Sequence, residues 1–149
     1  MADTQSADEF DDLGPIDYIV IEWPGRQPNG AVAPLILDLV DRGLIRIIDI
    51  AFVAKDEDGT IAAIDLAELE DEAFNQFEGA SSGVMGTSDL EEAASALEPG
   101  TSAAVLVWEN RWAAPVAVAI RRSGGQLVAS GRIPVQALIA SLDAVEAAS

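Results

Sequence analysis

The chain has 149 residues, half of them hydrophobic, and its 26 acidic and 8 basic residues give a formal net charge of −18. It contains neither cysteine nor histidine, which excludes disulfides, thiolate nucleophiles, Ser-His-Asp triads and metal sites built on imidazole or thiolate. Because so acidic a surface repels phosphate groups, we expect no nucleic-acid partner and no docking on anionic membranes.

The N-terminal segment, residues 1–13, is rich in acidic residues and has no basic one, which predicts a disordered tail. It lacks the basic region and apolar run of a secretory signal. No apolar stretch of the chain approaches the roughly 18 residues of a membrane-spanning helix. We therefore expect a cytoplasmic protein without stable membrane insertion, in which residues 14–149 form a single domain.

The first half of the chain predicts a strand, a helix and a β-hairpin. Residues 16–22 contain a β-branched and aromatic run that is typical of a well-buried strand. Residues 31–42 have apolar positions at helical spacing. Residues 44–55 and 60–64 are predicted to form the two strands of the hairpin, joined by an acidic turn.

The middle of the chain predicts two helices separated by a glycine-containing connector. Residues 65–78 have a weak helical spacing that indicates a surface helix, and residues 79–86 are typical of a flexible connector. Ser88 and Glu91 have the spacing of a capping box at the start of the second helix, which ends before Pro99 and Gly100.

The last third predicts a central strand followed by a helix, a strand and a helix. The central strand covers residues 103–108, and Asn110 stands where it would cap a helix over residues 113–122. A strand over residues 127–133 precedes the final helix, which begins at Pro134. The order predicts an α/β protein, an α+β sandwich whose ferredoxin-like βαββαβ core is extended by a C-terminal α-β-α segment.

Four stretches of the sequence carry a family resemblance: residues 14–25, 52–59, 77–83 and 123–134. They resemble an actinobacterial family of uncharacterised proteins, and the similarity spans nearly the whole chain after Leu13. The resemblance implies a bacterial source but no reaction, ligand or catalytic residue. The pattern is also loosely similar to a broader bacterial group with a long glycine zipper that is associated with membranes. Here only Gly79, Gly83 and Gly86 remain, so that association is not carried over.

Two short motifs invite comparison with ligand sites. The connector 79–86 precedes a helix, as in phosphate-binding loops, but it lacks a Gly-Lys-Ser/Thr ending and is followed by acidic residues. The acidic turn at Asp56 and Asp58 lacks the spacing of a calcium-binding EF-hand loop. We therefore predict no metal, no cofactor and no catalytic residue.

Tryptophan, arginine and glutamate side chains at the strand ends are the candidates for an interaction surface or a pocket, since Trp and Arg are enriched in both. These residues are Glu22, Trp23, Arg26, Trp108, Glu109, Arg111, Trp112 and Arg132. Two carboxylates could perform acid-base chemistry if Glu22 and Glu109 converged. The first and fourth strands of such a core run antiparallel, however, so we expect the two glutamates at opposite ends, paired with Arg26 and Arg111.

The strand that contains residues 45–53 is apolar on both faces. Alternation predicts one face with Ile45, Ile47, Ala51 and Val53 and another with Ile48, Ile50 and Phe52. Because helices would cover only one face of a ferredoxin-like sheet, the other needs the C-terminal elements or a second subunit.

These patterns support two hypotheses of function. The first is a non-catalytic module that forms a homodimer through its sheet face or binds another protein. The alternative is a small-molecule-binding or carboxylate-dependent enzymatic domain, with Glu22, Glu109, Arg111 and Arg132 around a pocket.

Overall fold

The computed structural model describes residues 12–148 and divides into two units, the first ending at Ala119 and the second beginning at Ile120. Nearly all of the predicted acidic tail, residues 1–13, lies outside the described residues.

The described part of the first unit contains a four-stranded sheet and helices in the predicted βαββαβ order, which confirms a mixed α/β fold. The strands are β1 (Ile16–Pro24), β2 (Ile45–Lys55), β3 (Ile61–Ile64) and β4 (Thr101–Asn110). The helices are α1 (Ala33–Asp41), α2 (Thr87–Ser95) and α3 (Ala114–Arg122), the last of which continues past Ala119. Short 3-10 helices precede α1 and α3.

The sheet has the strand order β1-β4-β2-β3, and each neighbouring pair is antiparallel. β1 and β2 are therefore parallel to each other with β4 between them, which is a split βαβ arrangement closed by α1. β4 is central, as predicted. The prediction that β1 is well buried is wrong because β1 lies at the edge of the sheet, where Tyr18 is 72% exposed.

A β-bulge in β2 changes which side chains share a face. The register with β4 shifts between Ile47 and Asp49, so one residue is inserted and the alternation is reset. As a result Ile47 packs with Ile50 and Phe52, whereas the sequence alternation assigned it to the opposite face.

Hydrophobic clusters cover both faces of the sheet, which corrects the expectation that helices would cover only one. The first face packs against α1 and the 3-10 segment that follows β3, around Phe52 and Phe74, whose rings meet edge to face at 5.0 Å. The second face packs against α2, where Val53 and Ala103 meet Ala94. Because α2 is one short helix, it covers this second face only in part.

The segment after β3 forms two 3-10 helices, Leu66–Glu68 and Glu72–Phe77, instead of the predicted surface helix. The Asp71 carboxylate accepts hydrogen bonds from the N–H groups of Ala73 and Gly30, which fixes the start of the second 3-10 helix against the loop before α1. The buried side chain of Phe74 then holds this segment against the first face of the sheet. The weak helical spacing therefore reflects short turns that bury three side chains, those of Leu69, Phe74 and Phe77.

The connector 79–86 is attached to the sheet, contrary to the prediction that it is flexible. Two of its backbone N–H groups, those of Ser82 and Met85, donate to the buried carboxylate of Asp49 at 2.9 Å. The Ser82 hydroxyl also donates to the carbonyl of Ile48. α2 then begins at Thr87, two residues earlier than a helix capped by Ser88 would begin.

The cap at the start of α2 also differs from the predicted Ser88–Glu91 capping box. The Asp89 carboxylate accepts the N–H of Gly86, which is the residue before the helix. The capping residue is therefore Gly86, the last residue of the connector, and not Ser88. The observed pair Gly86–Asp89 lies two residues before the predicted pair Ser88–Glu91.

In the second unit, the end of α3 leads through residues 125–134, which have no regular secondary structure, to α4 (Val135–Ala148). The predicted strand 127–133 is therefore wrong. Branched residues favour a strand only where a neighbouring strand pairs with their backbone, and Leu127 and Val128 are instead 76% and 88% exposed. No helix within residues 12–148 is long and apolar enough to cross a membrane.

Candidate functional site

The two glutamates considered for carboxylate chemistry lie at opposite ends of the β1–β4 ladder. Ile16 pairs with Glu109 at one end, and Glu22 pairs with Ala103 six positions along β4 at the other. This agrees with the antiparallel arrangement expected from the sequence. The two carboxylates therefore do not share a cleft.

At the Glu22 end of the ladder, each candidate residue has a structural partner. Glu22 accepts the backbone N–H of Glu98 at 3.0 Å. Arg26 forms an ion pair with Asp56 in the hairpin turn, so the expected Glu22–Arg26 pair is wrong. Trp23 packs against the first hydrophobic cluster.

At the Glu109 end, the side chain of Glu109 is buried, 5% exposed. Its carboxylate accepts the N–H of Gly14 at 2.8 Å and the Nε of Arg46 at 2.9 Å. Burial alone would raise the pKa of Glu109, but these two hydrogen bonds and the charges of Arg46 and Arg111 outweigh it and lower the pKa. The predicted partner Arg111 thus acts at longer range, and Arg46 forms the contact.

The tryptophans near this end converge on Asn110. The indole Nε1 atoms of Trp108 and Trp112 donate to Asn110 Oδ1 at 3.0 and 3.3 Å. Asn110 Nδ2 in turn donates to the Asp17 carboxylate at 2.7 Å. The Asn110 side chain therefore links β4 to β1 and makes no capping bond to the following helix, contrary to the prediction.

The remaining candidate, Arg132, lies in the second unit and takes part in none of the ion pairs found within residues 12–148. No cluster of three or more acidic residues in that same range is arranged to hold a metal ion.

A concave feature, a groove, lies on the second face of the sheet, between α2 and the strands β1 and β4. Its volume is about 680 Å³, and it is partly open to solvent. The lining residues are Ile16, Asp17, Tyr18, Val20, Met85, Asp89, Glu92, Ala93, Ser95, Ala96, Val105 and Val107. We call this feature the α2 groove.

The α2 groove has an apolar floor and an acidic rim. Val105 is buried at its base, while Tyr18 projects from β1 with most of its surface exposed. On the helix side the small side chain of Ala93 leaves room between α2 and the sheet. Glu92 provides a carboxylate on the rim, and no lining residue is basic.

Sequence reasoning missed this groove because it searched for tryptophan, arginine and paired carboxylates. One signal was present: Ile16, Tyr18 and Val20 alternate along β1, so they share one face. The small residues Ala93 in α2 and Ala96 just after it were a second signal, since small side chains cannot fill the space beside a strand.

Comparison with known proteins places the chain in a family without assigning it an activity. The model of a family of unknown function, DUF6325, matches residues 12–148. No curated protein and no solved structure matches the chain. Since the family match covers nearly the whole sequence, the protein belongs to DUF6325, a family of unknown function.

Proposed function

We propose that the protein is a non-catalytic module that works by self-association, in which β1 of one copy pairs edge to edge with β1 of a second copy. The observation that carries the proposal is the exposure of this edge strand. β1 is 9 residues long and hydrogen-bonds to β4 on one side, while Ile16 and Tyr18 are 50% and 72% exposed.

An edge strand with free backbone N–H and C=O groups is a template for another strand. Proteins that avoid such pairing shorten the edge strand or place charged residues, proline or a bulge within it. β1 has a regular register with β4, its proline, Pro24, stands at the end, and its two charged residues, Asp17 and Glu22, already accept hydrogen bonds from the Asn110 side chain and the N–H of Glu98. These features support pairing along most of its length.

The opposite edge of the sheet offers a poorer surface. β3 has only 4 residues and follows the acidic hairpin turn that holds Asp56 and Asp58. A strand this short can form few intermolecular hydrogen bonds, and the turn would bring like charges together. The comparison favours β1 as the contact edge, with Trp112, 65% exposed, as an additional contact near its end.

The contact proposed here is the edge of the sheet, whereas the sequence suggested its face. α2 already occupies part of the second face, so a second copy has less apolar surface to cover there. The absence of cysteine is in keeping with association in the reducing cytoplasm.

The test is the molar mass of the full-length chain by light scattering at concentrations from about 1 to 100 μM, the range in which modest interfaces dissociate. We expect a dimer that Tyr18→Asp converts to a monomer, because the substitution adds a charge beside the pairing edge. Leu35→Asp is the matched control, since Leu35 is also exposed, 69%, but lies on α1. A monomeric wild-type chain throughout the range would refute the proposal.

The volume of the α2 groove favours a second candidate function, small-molecule binding. About 680 Å³ is within the span of roughly 300–1,000 Å³ that is usual for ligand pockets. A ligand that binds the native state raises the melting temperature by an amount that increases with its concentration, so a thermal-shift screen of metabolites tests this candidate. The enzymatic form of the alternative has less support, because Glu22 and Glu109 are far apart in the β1–β4 register.

A further inference from the structure

We infer that the α2 groove binds a positively charged amphipathic helix of a partner protein. This inference does not depend on self-association. Edge pairing would use the backbone along the outer side of β1, whereas the groove lies on the face of the sheet between β1, β4 and α2.

The apolar part of the groove provides the driving force. Tyr18, Val20 and Val107 contribute a continuous strip from the two strands, and Met85 borders it from the connector. Burial of apolar surface is favourable, and contiguous exposed apolar surface is characteristic of interaction sites. Methionine at such a surface adapts its shape to different partners.

The charge of the groove selects the partner. Its three charged lining residues, Asp17, Asp89 and Glu92, are all acidic. Asp17 already accepts a hydrogen bond from Asn110, and Asp89 accepts one from Gly86. The Glu92 carboxylate makes no hydrogen bond or ion pair to another residue in 12–148, so it remains available to a cation.

The net charge of −18 adds a long-range attraction for a basic partner, which increases the association rate. The same charge disfavours a second copy of this chain as the occupant, because it would bring further acidic groups to the acidic rim. A partner of opposite charge is therefore the better match.

The shape of the groove favours a helix over a small ligand. Pockets for small molecules bury most of the ligand surface, whereas this groove is partly open to solvent. A helix placed in such a groove buries one apolar stripe and keeps its polar side in solvent, which is an established mode of peptide recognition. Lysine or arginine at the border of the stripe would then reach Glu92.

The experiment uses the full-length protein and a fluorescent synthetic peptide with leucine at positions i, i+3, i+4 and i+7 and lysine at the other positions. A peptide with glutamate in place of lysine tests the charge, and a scrambled lysine-leucine peptide tests the stripe. Binding is measured by fluorescence anisotropy at about 150 mM salt, where nonspecific attraction is partly screened.

Two charge reversals on the same helix locate the site. We expect Glu92→Lys to weaken binding of the lysine peptide by about tenfold or more, because a rim carboxylate becomes a like charge. Glu91→Lys changes the net charge equally, but Glu91 does not line the groove, so we expect less than about a threefold effect. Circular dichroism verifies that both variants are folded.

Preferential binding of the amphipathic lysine peptide, together with the difference between Glu92→Lys and Glu91→Lys, would support the inference. Equal binding of the scrambled peptide, or an equal loss in both variants, would overturn it in favour of bulk charge attraction. Dodecylammonium, a small cation with one apolar chain, is added as a competitor of the fluorescent peptide. If it binds as tightly as the lysine peptide, the inference is overturned in favour of a small-molecule site.

Discussion

The carboxylate of Asp49 and the backbone N–H of Met85 lie 2.9 Å apart, although the two residues are 36 positions apart in the chain. Asp49 is 2% exposed, and it also accepts the N–H groups of Ile50 and Ser82. A buried carboxylate without an adjacent cation is stable only when its oxygens accept such bonds. The contact attaches the connector to the sheet and thereby sets where α2 begins and where Met85 enters the groove.

Asp49→Asn tests this role. The asparagine side chain keeps one acceptor oxygen, but its NH2 group replaces the other. Because that NH2 group would face backbone N–H groups that are also donors, at least one buried N–H loses its hydrogen-bond partner. We predict a loss of about 2 kcal/mol or more in the free energy of unfolding by urea, from the cost of unsatisfied buried groups. Asp41→Asn, at an exposed position in α1, is the control and should change stability little. Equal stability of both variants would contradict the assigned role.

The lowered pKa of Glu109 predicts a specific pH dependence. Because this pKa is lower in the folded than in the unfolded protein, the charged carboxylate stabilises the fold above the ordinary value of 4.5. That contribution is lost as the pH falls through the lowered value. We predict that wild-type stability declines more steeply below about pH 5 than that of Glu109→Gln, measured by urea unfolding at each pH.

The control for this experiment is Glu91→Gln, which removes an exposed carboxylate from α2. It should retain the wild-type slope. If Glu109→Gln has that slope as well, the hydrogen bonds from Gly14 and Arg46 do not stabilise the charged form as described.

Ser102 predicts a stabilising substitution. Its side chain is fully buried between Trp23 and Ala54 in the sheet register, and its hydroxyl has no hydrogen-bond partner among the described residues. Removing an unpaired buried hydroxyl should increase stability by about 1 kcal/mol, so Ser102→Ala is expected to raise the melting temperature. Ser95→Ala, at an exposed position, should have little effect. A melting temperature lowered by Ser102→Ala would show that the hydroxyl is bonded.

Salt should affect the two proposed interactions in opposite directions. Self-association brings together two copies that each carry a net charge of −18, and salt screens the repulsion between them. Raising NaCl from about 0.05 to 0.5 M should therefore lower the dissociation constant of the dimer by roughly tenfold. Binding of a cationic helix should weaken over the same range. Sedimentation velocity and peptide anisotropy in matched buffers measure the two effects, and a dimer weakened by salt would contradict the proposed contact.

Strong local patterns in the sequence predicted most of the elements. β2 and β4 follow from long runs of branched residues, and α1 from apolar positions at helical spacing. The failures involve long-range partners. Residues 127–133 have strand-forming composition, but composition cannot supply a neighbouring strand, and the structure shows none for them. Residues 65–78 form short turns because Asp71 and Phe74 make tertiary contacts that no local pattern encodes.

The candidate site was predictable only in part. The separation of Glu22 and Glu109 followed from topology, whereas their actual partners, Glu98 and Arg46, depend on which loops approach the strand ends. The burial of Asp49 could have been predicted from the sequence. An acidic residue inside an apolar strand is expected to be buried with hydrogen-bond donors around it. The bulge beside Asp49 has no comparable sequence signal.

Hydrogen exchange of the β1 amides at two protein concentrations tests the central claim most directly, because intermolecular pairing protects those N–H groups that β4 leaves free. We predict that amides in Ile16–Pro24 exchange several-fold more slowly at about 200 μM than at about 1 μM, while those of the other edge strand, Ile61–Ile64, are unchanged. If light scattering shows the dimer at about 200 μM and the monomer at about 1 μM, identical exchange of β1 at the two concentrations would contradict self-association through this edge.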